Sequence, residues 1–127
     1  MTLTHDLLLV EDDLLLARAL QRALAARGIL ARHVARCATA GELRGPFRVG
    51  VFDLDLPDGD GVELAQRLIL AGVVQRVVFY TACTRSTRLA SASALGAVFI
   101  KSRQLGSLMD LLAPRSGRDV AISAPLH

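Results

Sequence analysis

Apolar residues fall along this chain in two alternating rhythms. Short apolar runs alternate with stretches whose apolar positions lie three and four apart. The runs are Leu7-Leu8-Leu9-Val10, Ile29 to Val34 (the least apolar), Val49-Gly50-Val51-Phe52, Val77-Val78-Phe79-Tyr80 and Ala97-Val98-Phe99-Ile100. Bounded by turn residues and rich in β-formers, each predicts a strand. Between them, Leu16, Ala19, Leu20, Ala23 and Leu24 mark one helical face, with Asp12 or Asp13 as start cap and Gly28 as end cap. Ala38 to Leu43 allows only a short helix before Gly45-Pro46 stops it. Asp60 to Leu70 predicts an amphipathic helix carrying Val62, Leu64, Ala65, Leu68 and Ile69. Ser86 to Leu95 predicts a weaker, Ala/Ser-rich one closed by Gly96, and Gln104 to Leu112 a last one before Pro114.

Strand and helix in regular alternation imply an α/β domain: a doubly wound, five-stranded parallel sheet with helices on both faces. We expect one domain over residues 1–113 and a flexible tail over 114–127, where no period is visible. A chain of 127 residues can bury its own core. Its longest apolar run is far below the ~18 residues of a membrane span. The start carries no secretory pattern, and Cys37 and Cys83 match no metal spacing and no disulfide framework. A reducing cytoplasm, with both cysteines as packing residues, is the expectation.

Charge sharpens this picture. The net charge is +3, yet eight of the twelve acids (Glu11, Asp12, Asp13, Asp53, Asp55, Asp58, Asp60, Glu63) lie in two short segments. The arginines are scattered and aromatic residues are few, so a solvated surface is expected and not a nucleic-acid face. A parallel sheet gathers all strand carboxyl ends at one rim, where such folds place ligands. Four of the five predicted strands end there in polar groups: Glu11-Asp12, Asp53, Thr81 and Lys101. Three carboxylates so close repel unless a cation intervenes, and oxygen-only ligands favour Mg²⁺ over zinc. A hydroxyl and an ammonium opposite a metal suit a phosphoryl group. Lys101 is also the single lysine beside fourteen arginines, a flexible point charge kept at this one place.

This order of residues, with Leu-Leu-Leu-Val-Glu-Asp-Asp from Leu7 and Asp-Leu-Asp-Leu-Pro-Asp-Gly-Asp-Gly from Asp53, resembles the receiver domain of two-component response regulators. The likeness spans about Asp6 to Leu112. It implies a flavodoxin-like sheet of strand order 2-1-3-4-5, with Asp53 as phosphoacceptor. It further implies Mg²⁺ on Glu11, Asp12, Asp53 and the Asp55 backbone carbonyl, Thr81 as switch hydroxyl and Lys101 as a phosphoryl contact. Implied partners are a sensor histidine kinase or histidine phosphotransfer protein. Downstream stands a protein target or a second copy, met through the face of the fourth helix, fifth strand and fifth helix (Arg85, Arg88, Arg103 and Leu105). On this reading the chain is a signalling phosphoacceptor and not a turnover enzyme, acting through protein contact without membrane or nucleic-acid binding.

Asp13 reads as a cap before it reads as a ligand; Asp55, Asp58 and Asp60 read as loop solubilisers or caps. The Asp55 side chain and Cys83 are candidates for tuning phosphoryl lifetime. The chain departs from the family at Ser102, where receivers commonly have Pro after the lysine, which predicts a looser turn. The segment from Gly96 to Lys101 is short, which puts Val98 at the usual aromatic switch position and leaves Phe99 or Tyr80 as substitutes. The second helix is abbreviated. Two rival readings remain: a phosphorylation-independent interaction module with the same fold, and a haloacid-dehalogenase-like phosphatase using Asp53 and Asp55.

Overall fold

The computed structural model describes residues 6–112; the expected tail lies outside the described residues. Five strands, β1 (Leu7–Val10), β2 (Ala31–Val34), β3 (Phe47–Phe52), β4 (Val74–Thr81) and β5 (Ala97–Ile100), form one sheet. All four pairings are parallel, and the order is β2-β1-β3-β4-β5, the expected 2-1-3-4-5. Helices α1 (Leu14–Ala25), α2 (Cys37–Gly41), α3 (Gly61–Leu70), α4 (Ser86–Ser93) and α5 (Leu105–Leu112) follow the strands in turn.

The pleat sorts each strand between two cores. Leu8, Val10, Phe52, Val77 and Phe79 pack with α2, α3 and α4. Leu7, Leu9, Val49, Val51, Val78 and Tyr80 pack with α1 and α5. All four side chains of β1 are buried, as a strand covered on both faces requires. Each such leucine or valine contributes about 1.5–3 kcal/mol through burial.

Some boundaries differ from expectation. Ile29 does not enter β2: its amide bonds the Leu24 carbonyl (3.0 Å), closing the end of α1 around Gly28, whose φ of 82° suits glycine. Strand β4 starts at Val74, because Phe47 of β3 pairs with it. On α1 the buried face is Ala17, Leu20 and Leu24, while Ala19 is exposed. The segment after Asp53, read as a plain loop, forms an antiparallel ribbon: Asp55–Leu56 pairs with Gly59–Asp60 around Pro57-Asp58.

Candidate functional site

The strand ends meet as expected, and the ladder itself sets their positions. The residue after each strand donates its amide to the last residue of a neighbouring strand: Glu11 to Val34 (3.1 Å), Asp53 to Val10 (3.1 Å) and Lys101 to Thr81 (2.9 Å). The rim therefore continues the sheet and inherits its rigidity. Helix α3 begins directly against it. The Gly61 amide bonds the Leu54 carbonyl (2.9 Å), and a Cβ at Gly61 would collide with the Asp53 carbonyl oxygen. Glycine is required there by close approach.

Lys101 Nζ lies 2.8 Å from Glu11 Oε1 and 2.8 Å from Asp53 Oδ2. Glu11 and Asp53 are buried, and Asp12 beside them is exposed. Carboxylate oxygens of Glu11, Asp12 and Asp53 all lie within 4.8 Å of one another. Burial raises the pKa of Glu11, outweighing the hydrogen bonds from Lys101 and the Asp13 amide that act to lower it. For Lys101, burial pulls the other way, but hydrogen bonds to Asp53 and Glu11 win and its pKa rises. The lysine is thus held charged. The three clustered carboxyl groups are met by a single ammonium, which pairs with Glu11 and Asp53, and the donors are all oxygen. That set fits a hard divalent cation such as Mg²⁺.

The Thr81 side chain is fully buried, and its Oγ1 accepts from the Cys83 amide (3.0 Å). Cys83 is half-buried beside it. Cys37 is buried, and burial, then the nearby Asp58 charge, raises its pKa, as suits a packing thiol.

The remaining acids divide into caps and a latch. Asp13 caps α1 through Leu16 N (3.1 Å), and Asp60 caps α3 through Val62 N (2.7 Å). Asp58 reaches across to α2, accepting from Cys37 N (2.7 Å) and Ala38 N (3.0 Å). The Asp55 carboxylate stands outside the oxygen cluster and pairs with Arg88 of α4. Arg88 also donates to the Leu54 carbonyl (2.8 Å) and approaches Asp60 (3.4 Å). Arg88, expected on the outward partner face, is therefore turned in toward the acid loop. Arg85, Arg103 and Leu105 are exposed on their elements.

Three contacts were not foreseen from sequence. Arg88 was expected on the outward partner face, and nothing in its sequence context pointed to Asp55. His33 Nε2 lies 2.7 Å from the Glu11 carbonyl oxygen; its signal was the β2 end beside the acidic pair. Gln104 had no signal beyond the missing proline: its Oε1 accepts from Ile100 N (2.7 Å), while its own amide donates to Ile100 O (2.9 Å). The turn expected to be loose is hydrogen-bonded. Of the two substitute rings, Tyr80 is buried and its hydroxyl donates to the Lys101 carbonyl (3.2 Å), while Phe99 and Val98 are half-buried.

Solved structures with this arrangement are numerous. The BeF3-activated receiver domain of RstA from Klebsiella pneumoniae superposes with a TM-score of 0.72 at 22% identity, covering 84% of this chain and 93% of that one. TrrA of Thermotoga maritima, a response regulator in complex with Mg²⁺-BeF, gives 0.73 at 18%, covering 84% and 94%. The chain has the response-regulator receiver fold. A sensor protein from Polaromonas sp. JS666 shares 29% identity over 83% of this chain and 89% of its own, with a TM-score of 0.69. No protein-family model and no curated protein matches the chain. Among the described residues of this receiver fold, no helix is long and apolar enough to cross a membrane.

Proposed function

We propose that the chain is a cytoplasmic phosphoacceptor receiver. Asp53 takes a phosphoryl group from a histidine kinase or phosphotransfer protein, and the change reaches a protein partner or a second copy through the α4-β5-α5 face. The observation that carries this reading is the Lys101 ammonium 2.8 Å from both Glu11 and Asp53, at a rim where a buried threonine hydroxyl also stands.

The Asp53 carboxylate attacks the phosphorus of a phosphohistidine in line. An O–P bond forms, the P–N bond breaks, and its electron pair leaves on the imidazole nitrogen. Lys101 already engages Oδ2 of Asp53, leaving the second oxygen for attack. As negative charge passes to the phosphoryl oxygens, the ammonium follows it with little reorganisation. Bound at Glu11, Asp12, Asp53 and the Asp55 carbonyl, Mg²⁺ would supply further charge neutralisation and orientation. The Thr81 hydroxyl, which accepts from the Cys83 amide, keeps its own proton to donate to a phosphoryl oxygen. Its turn toward that oxygen favours one of two pre-existing arrangements of α4 and β5.

Incubation with Mg²⁺ and phosphoramidate, followed by intact mass measurement, tests the reading. One phosphoryl group per chain, absent in Asp53→Asn, is expected. No adduct, or one that persists in Asp53→Asn, overturns it in favour of the phosphorylation-independent module. A haloacid-dehalogenase-like phosphatase needs Asp55 as a general acid. In this structure that carboxylate pairs with Arg88 and lies outside the cluster of Glu11, Asp12 and Asp53 oxygens. Rapid multiple turnover of the donor, faster than any observed adduct decays, would revive that alternative.

A further inference from the structure

We propose that Gln104 and Tyr80 are positioning residues that hold Lys101 in register with Asp53, in the turn where Ser102 stands. The inference rests on the phosphoacceptor reading and deepens it. Strand β5 is the sheet edge, paired only with β4, and its residues are partly exposed. Edge strands leave alternate amides and carbonyls unpaired. Here Lys101 N faces β4 and bonds Thr81 O, so the polar groups of Ile100 face the open edge. Both are taken up by one residue. Gln104 Oε1 accepts from Ile100 N (2.7 Å) and Gln104 N donates to Ile100 O (2.9 Å), with Arg103 N sharing that carbonyl (3.1 Å).

Gln104 also leads into α5, its carbonyl accepting from Leu108 N (3.0 Å). The clamp therefore joins the edge strand to a helix whose Leu108, Met109 and Leu112 are buried in the core. From the α1/α5 layer, the buried Tyr80 hydroxyl donates to the Lys101 carbonyl (3.2 Å). Lys101 thus has its amide held by β4 and its carbonyl by Tyr80, and the residue before it is fixed by Gln104. Ser102 and Arg103 are exposed. A long flexible side chain reaches both carboxylates reproducibly only if its backbone origin is fixed.

Initial rates of adduct formation with Mg²⁺ and phosphoramidate test this. Gln104→Ala should slow the reaction by about tenfold, in line with the cost of misplacing a reacting group. Gln104→Glu keeps the acceptor and should recover most of the rate. Tyr80→Phe keeps the ring in the core and should slow the reaction by about threefold, the share of one neutral hydrogen bond. In a Lys101→Ala background, Gln104→Ala should cause no further loss, because its effect passes through the lysine. A native rate in Gln104→Ala, or an equal loss with and without Lys101, overturns the proposal while leaving the phosphoacceptor reading intact. No adduct in the native protein removes that reading and this inference with it.

Discussion

Two cations meet the acid-rich rim, and solvent separates their consequences. Lys101 meets two carboxylates whose side chains are 2% and 9% exposed. Arg88 meets Asp55, whose side chain is 65% exposed. Both pairs tie a later part of the chain to the acidic residues at the strand ends and in the following loop, yet their energetics differ in kind. The two cations are about equally exposed, but water reaches the Asp55 carboxylate, screens that pair and offers the acid a substitute partner. Around Lys101 water is scarce, so each charge depends on the others. The buried corner is therefore built for charge balance, and the exposed corner is an adjustable contact between α4 and the acid loop.

The strongest test of the contrast is removal of the buried cation. Lys101→Met should lower stability in metal-free buffer by about 3 kcal/mol, because Glu11 and Asp53 are left uncompensated. Mg²⁺ should then stabilise the variant more than the native protein, since an ion that binds only the folded state adds stability by mass action. Denaturant unfolding with and without Mg²⁺ measures both. A loss no larger than that caused by removing Arg88 would erase the distinction between the corners.

The same contrast explains what could be read from sequence. The buried corner was legible because parallel topology brings strand ends together, and Glu11, Asp12, Asp53, Thr81 and Lys101 each follow or end an apolar run. Topology alone places them, whatever the loops do. The exposed corner was not legible. Arg88 lies 33 residues from Asp55 along the chain, and nothing in an Ala/Ser-rich helix says which way one arginine turns. Asp58 likewise crosses 21 residues to α2, a contact that depends on the ribbon turning at Pro57-Asp58. The abbreviated second helix was visible, but its distant cap was not. Side-chain contacts between loops need coordinates, whereas strand-end chemistry needs only order.

A second, smaller test addresses the exposed pair. Asp55→Asn and Arg88→Ala should each change stability modestly, with a coupling of about 0.5 kcal/mol in a double-mutant cycle. Arg88→Ala should have the larger effect of the two, because Arg88 also serves the Leu54 carbonyl. Both variants should alter the lifetime of the phosphorylated form, since they free the loop that follows Asp53. Intact mass followed over time after removal of the phosphodonor measures that lifetime. Unchanged decay in both would leave the latch without a part in the chemistry.

The smallest effect tests whether exposure alone makes an acid expendable. Asp58 is exposed, yet amides of Ala38 and Cys37 hydrogen-bond its carboxylate and hold its pKa below the ordinary aspartate range. A carboxylate with a depressed folded pKa adds stability that is present above its unfolded pKa and is lost as pH falls through the folded one. Asp58→Ala should therefore lower the thermal midpoint at neutral pH, and the gap from the native protein should close on acidification through and below the ordinary aspartate range. Thermal melts of both proteins across that window measure the gap. A gap that stays constant with pH would mean that the turn's shape, and not the ionised carboxylate, secures α2.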